Sequence, residues 1–164
     1  MHPRDRGPLE ALSEALSAED IRHAMVEVEA LTSAHPPLGD DQWPAPVEAI
    51  CGLRGRFGYG LLLVAATVES DGDLRGVLGA IGADEHVVMR LEAEPKTVRR
   101  RIIEREREGW AELDQLVAAS ARLRPVIAGL DGIALAFGTD GQRPEVVAER
   151  IRDAIPAALR PEHR

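Results

Sequence analysis

The sequence predicts an α/β fold, a small, mainly parallel sheet flanked by helices, and two observations carry that prediction. Segments of strand pattern alternate with segments of helical period, the signature of βαβ units joined by right-handed crossovers. The run LLLVAATV, from Leu61 to Val68, is nearly continuous in apolar residues over a strand's length, which suits a strand buried on both faces. With 164 residues, 45% of them hydrophobic and 29% charged, the chain is long enough to bury one core. A polar N-terminal segment (1–7) and a single domain (8–160) are expected.

Each element has its own signal. Pro8 suits the first turn of a helix, and Leu9, Leu12 and Leu16 recur at helical spacing up to about Glu19. HAMVEVEAL, from His23 to Leu31, alternates in part and predicts a strand. Between Ser33 and Pro46 the four prolines, the Asp40-Asp41 pair and Trp43 predict an irregular loop. Helical period returns from Val47 to Phe57, Gly58-Tyr59-Gly60 breaks it, and the Leu61 strand follows. The order continues as a helix from Asp73 to Ile81, a strand from His86 to Leu91 and a helix from Pro95 to about Glu108. A helix from Glu112 to about Leu123, open to extension past Pro125, precedes a strand from Ile133 to Phe137. A helix from Pro144 to about Leu159 ends the series, with Pro156 near its close.

Composition excludes several function classes. A net charge of −8 without a long basic tract argues against a partner held through a phosphate backbone, so no nucleic acid is expected. The longest apolar run is far short of the roughly 20 residues that span a bilayer, and Met1 to Gly7 lacks a signal-peptide pattern, so a cytoplasmic protein without a membrane partner is expected. One cysteine, Cys51, cannot form an internal disulfide and reads as core. His23, His35 and His86 are too widely spaced for a metal-ligand motif, and no resident metal is expected. Trp43 and Trp110 read as packing residues, with a pocket lining as the alternative.

The chemistry-bearing segment is the helix from Pro95. It is rich in arginine and glutamate, which by itself describes a solvated, salt-bridged face. Position separates its residues: at about 100° per residue, Val98, Ile102 and Arg105 share a stripe with Arg101 at its edge, while Arg100 and Arg107 point the other way. Arg101 and Arg105 are therefore placed to reach inward, one turn apart. A guanidinium keeps its charge and presents a rigid fork that matches phosphate oxygens, so two at this spacing can clamp a polyphosphate.

In this stretch, EHVVMRLEAEPKTVRRRIIERE, the chain resembles the P-loop nucleoside and small-molecule kinases, the adenylate, shikimate and gluconate kinase-like enzymes. Those proteins follow a strand with a proline and a helix reading V-x-x-R-I-x-x-R-E, matched here by Val98, Arg101, Ile102, Arg105 and Glu106. The resemblance implies an ATP-dependent phosphotransferase with ATP and magnesium as ligands, in which Arg101 and Arg105 contact the phosphates. A second likeness is the T-D-G-x-x-P-E-x-V-A-E-x-I pattern from Thr139 to Ile151. It implies that Thr139, Asp140 and Gly141 lie beside the adenine; taken alone, the same residues read as a turn and a helix start. Glu27 and Glu29, near the C-terminal end of the first strand, occupy the place where such kinases hold the acceptor, the alternative being an exposed strand face. Glu69, just past the Leu61 strand, is a further candidate as a base or an indirect magnesium holder.

One part of that family pattern is missing. No G-x-x-x-x-G-K-[ST] loop occurs, and Lys96 is the only lysine. In the strand order 2-3-1-4-5 of the resembled family, the absent first strand is the central one. Unpaired buried backbone groups cost about 1–3 kcal/mol each, so the gap calls for repair. The expected repairs are direct pairing of the strands that flank it, an edge donated by a second copy in a homo-oligomer, or a chain that begins upstream. The functional expectation is a kinase-like protein impaired or inactive without its phosphate loop and acting on a small-molecule acceptor. The alternative is a non-catalytic accessory scaffold with a protein partner.

Overall fold

The computed structural model describes residues 7–39, 41–105 and 112–159; the side chain of Arg105, and the residues Glu106 and Trp110, lie outside this described part. The order of elements is α1 (Pro8–Ala18), β1 (His23–Glu27), α2 (Val28–Thr32), α3 (Pro44–Phe57), β2 (Leu61–Ala65) and α4 (Asp71–Ile81). After these come β3 (Val88–Glu92), α5 (Pro95–Arg105), α6 (Leu113–Ala128), β4 (Ile133–Gly138), α7 (Pro144–Ala154) and a short 3-10 turn at Ala157–Leu159. The fold is α/β, with every strand pairing parallel. Among the described residues no helix is long and apolar enough to cross a membrane.

β1 and β2 pair in parallel, His23 opposite Leu61 and Glu27 opposite Ala65. Period-2 alternation in β2 sends its side chains to two different cores. Leu61 and Leu63 pack with Leu12 and Leu16 of α1 and Ala148 of α7. Leu62 and Val64 lie against the second core, formed by Val28 of α2, Val47 and Cys51 of α3, and Val77 and Ala80 of α4. The run is thus covered on both faces along Leu61–Val64, as its composition predicts, but the strand ends at Ala65, short of Val68, and Ala66 and Thr67 are exposed. Cys51 is buried in the second core, as expected, and that burial raises its thiol pKa, with Arg54 opposing the shift.

Local chemistry sets the helix ends. Glu10 reaches back to accept the Gly7 N–H at 2.8 Å in front of Pro8, which opens α1. Ser70 accepts the Asp73 N–H at 3.1 Å as the N-cap of α4, and Gly82, at φ 61°, closes that helix in the left-handed conformation glycine adopts freely. Pro125 is carried inside the last turn of α6, whose C-terminal carbonyls at Ile127 and Ala128 are met by Arg90 from β3 at 3.4 and 3.0 Å.

β3 and β4 form the second parallel pair, with a register shift between Val88 and Met89. Among the described residues β2 and β3 share no ladder, and the strands stand as two two-stranded parallel sheets, β1-β2 and β3-β4. Direct pairing across the gap, one of the expected repairs, is not the arrangement adopted. The strand expected from His23 to Leu31 is also shorter: it ends at Glu27, and one turn of helix begins at Val28, where Thr32 Oγ1 donates to the Val28 carbonyl at 2.9 Å. Glu29 therefore lies on α2 and not on the strand. Trp43 packs against the second core and closely approaches Gly76 of α4.

Candidate functional site

The C-terminal ends of β3 and β4 carry a hydrogen-bonded group built from the predicted residues. α5 begins at Pro95, just after β3, and the turn that begins at Thr139 leads from β4 into α7. Arg101, one and a half turns into α5, reaches that turn: Nη1 donates to Thr139 Oγ1 and Nη2 to the Thr139 carbonyl, both at 2.8 Å. Thr139 is buried; its hydroxyl donates to the Glu92 carbonyl at 3.1 Å, and its N–H donates to the same oxygen at 2.8 Å. Gly141 sits at φ 64°, where the chain turns back, and Pro144 starts α7 with Arg143 in the extended N-cap conformation.

Asp140 fastens the same turn to the start of α5. Both its carboxylate oxygens accept the Glu94 N–H, at 3.1 and 2.9 Å. Its pKa is lowered, first by the Thr97 side chain that donates to it, then by the Glu94 N–H, with the charges of Arg101 and Lys96 adding. Arg150, which sequence reasoning did not single out, stiffens the turn from the other side. It lies over the Phe137 ring at 5.4 Å and donates to the Gly138 carbonyl at 3.3 Å and to Gln142 Oε1 at 3.1 Å. The clue to Arg150 lies in the E-x-V-A-E-x-I pattern, where it occupies the variable position before Ile151.

The inward reach predicted for Arg101 by its place on the helix is therefore met by a specific partner, although the residue as a whole stays exposed. Of the five N–H groups on its guanidinium, two are directed at Thr139. The Arg105 side chain lies outside the described part.

The acidic candidates gather at the C-terminal end of the other strand pair. Glu27 closes β1 and is exposed. Glu29, on α2, accepts the Thr67 N–H just beyond β2, which links α2 to that strand's exit. Glu69 is exposed, with its N–H donating to Asp73 Oδ2 at 3.0 Å in the entry to α4. No hydrogen bond or ion pair joins the acidic group to the Arg101–Thr139 group among the described residues. His23 is held by its own neighbours, Nδ1 donating to the Ile21 carbonyl at 2.8 Å and Nε2 hydrogen-bonded with Ser13 Oγ at 2.7 Å. Among the described residues no three His, Cys, Asp or Glu side chains cluster as a metal site.

Neither a family model nor a curated sequence matches the chain. Solved structures do. The structure of the Deinococcus radiodurans tunicamycin resistance protein matches with a TM-score of 0.61 and 19% identity, over 89% of this chain and 87% of that one. An unliganded sugar kinase from Janibacter sp. HTCC2649 matches with a TM-score of 0.60 and 17% identity, over 95% and 94% of the two chains. At such identities the likeness concerns the fold, and it shows that this chain has a kinase-like α/β fold.

Proposed function

We propose that the chain is a P-loop-kinase-like protein related to ATP-dependent small-molecule phosphotransferases, with its catalysis impaired. The observation that carries this reading is the seating of Arg101 on the β4–α7 turn, at the strand ends where open parallel sheets bind their ligands. In this reading Arg101 and Arg105 face the phosphates of ATP, and Thr139, Asp140 and Gly141 form the wall beside its base. Magnesium arrives with the nucleotide, whose charge it partly neutralises. The acceptor, a small molecule, rests near Glu27, Glu29 and Glu69.

The impaired part of this reading rests on the motif content of these 164 residues alone. A phosphate loop supplies backbone N–H groups and a lysine to the phosphates, and phosphoryl transfer depends on such positioning and charge stabilisation. Removing a single donor of this kind lowers a rate by about 10²–10³, and this sequence has no G-x-x-x-x-G-K-[ST] loop.

A second reading is a non-catalytic scaffold with a protein partner. It is favoured by the two separate strand pairs and by the commitment of the Glu29 carboxylate to a backbone N–H. Titration of Mg·ATP into isotope-labelled protein, followed through backbone amide shifts, separates the two. The kinase-like reading expects the first shifts at residues 139–141 and along α5. Shifts confined to other elements, or none at millimolar nucleotide, contradict it and leave the scaffold.

A further inference from the structure

We propose that Thr139 is a positioning residue that seats the Arg101 guanidinium end-on and leaves its side-on edge open to a phosphate oxyanion. This rests on the reading of Arg101 as a phosphate-contacting residue and gives Thr139 a role of its own within it. A guanidinium offers two forks: the end-on pair, one hydrogen from each Nη, and the side-on pair, formed by Nε–H and a hydrogen of the neighbouring Nη. The two 2.8 Å bonds run from Nη1 and Nη2 to oxygens of one residue, so the end-on fork is the occupied one. Nε and the remaining Nη hydrogens have no hydrogen-bond partner among the described residues, and Arg101 is exposed on α5. The free edge matches the oxygens of a phosphate bidentately.

The orientation of Thr139 is itself fixed. Its hydroxyl hydrogen is directed at the Glu92 carbonyl, which turns the oxygen's lone pairs towards Arg101, and its N–H holds the same carbonyl. The resulting chain from the end of β3 through Thr139 to Arg101 polarises in one direction. All three polar groups of Thr139 are engaged with protein, so its hydroxyl acts on the phosphates through Arg101 and not by a hydrogen bond of its own. Asp140, whose carboxylate feels the charge of Arg101, is taken up by Thr97 and by the Glu94 N–H, which limits its competition for the arginine.

The test pairs a ligand-free readout with a binding readout. The mobility of the Arg101 Nε–H is measured by NMR in the wild-type chain, Thr139→Val and Thr139→Ser. Affinities for Mg·ATP and for magnesium pyrophosphate are measured in the same proteins, in Arg101→Ala and in the Thr139→Val/Arg101→Ala double variant. Valine keeps the shape and carbonyl of Thr139 and removes the hydroxyl. The proposal expects a rigid Arg101 in wild type and Thr139→Ser and a mobile one in Thr139→Val. It expects affinity to fall roughly tenfold in Thr139→Val, the scale of one bond to a charged group, and to be recovered largely by Thr139→Ser. The double variant should bind no more weakly than Arg101→Ala alone, since the Thr139 hydroxyl acts only through that residue and valine keeps the shape of the wall. Equal Arg101 mobility in all three proteins overturns the seating. A rigid Arg101 released by Thr139→Val without change in affinity overturns the positioning role. A rigid Arg101 in a wild-type chain that binds neither probe at millimolar concentration overturns the phosphate reading beneath it, and the proposal with it.

Discussion

Asp140 closes the N-terminus of α5: both oxygens of its carboxylate accept the Glu94 N–H, at 3.1 and 2.9 Å, across 46 positions of sequence. A helix start leaves N–H groups without partners inside the helix, and a carboxylate there also meets the favourable end of the helix dipole. The β4–α7 turn is thereby part of how α5 is held, and α5 carries Arg101.

This arrangement sets a pH dependence. The folded-state pKa of Asp140 is lowered, through Thr97 first and Glu94 second, from an unfolded value of about 3.9. Its contribution to stability is therefore fully present above the unfolded pKa and is lost as pH falls through the folded one. Asp140→Asn should destabilise the chain at neutral pH, and its thermal midpoint should converge with that of the wild type as pH falls below 4. A gap between the two that stays constant down to acid pH contradicts the assignment.

Two glycines of α4 should respond differently to alanine. A Cβ on Gly79 meets nothing within 4 Å, whereas one on Gly76 lies 3.1 Å from Cζ2 of Trp43. Gly79→Ala should stabilise the chain by about 0.5–1 kcal/mol through helix propensity alone. Gly76→Ala should gain less or lose stability, because the half-buried indole must shift. Urea unfolding midpoints rank the two, and an equal gain contradicts the close packing of Trp43.

Among the described residues β2 pairs with β1 alone, and the edge this leaves should be visible in amide exchange. In a strand paired on one side only, alternate residues direct their N–H groups at the partner and the others away from it. Within Leu61–Ala65, protection should therefore alternate. Uniform slow exchange along β2 would mean that another strand covers the edge, which is the behaviour of a second copy donating one.

The sequence carried much of this fold where a single physical signal dominates. Pro8, Pro95 and Pro144 each mark a helix start because proline loses nothing in the first turn. The Leu61 run is unambiguous as a strand because its apolar side chains demand cover on both faces, but its end at Ala65 is not, since the apolar pattern runs on to Val68. HAMVEVEAL was less legible: Val26 and Val28 fit a strand's alternation, while Val28 and Leu31 fit a helical turn, and the chain changes from one to the other at Glu27. The sequence leaves the end of α6 open at Pro125 because a proline near a C-terminus removes one bond without dictating the last turn.

At the site, the direction of Arg101 followed from helical geometry, but its partner did not. Nothing local marks Thr139 as the acceptor or Asp140 as a cap for α5, because those bonds join residues 38 and 46 positions apart. Glu29 likewise acquires its role from Thr67 across the loop and α3, where no periodic pattern reaches.

The most direct test of the account is calorimetric titration of the chain with Mg·ATP, alongside Arg101→Ala and Arg105→Ala. The account predicts affinity in the micromolar range, weakened about tenfold or more by Arg101→Ala in a protein that remains folded. No heat up to millimolar nucleotide from folded wild-type protein, or an affinity indifferent to Arg101, would contradict it.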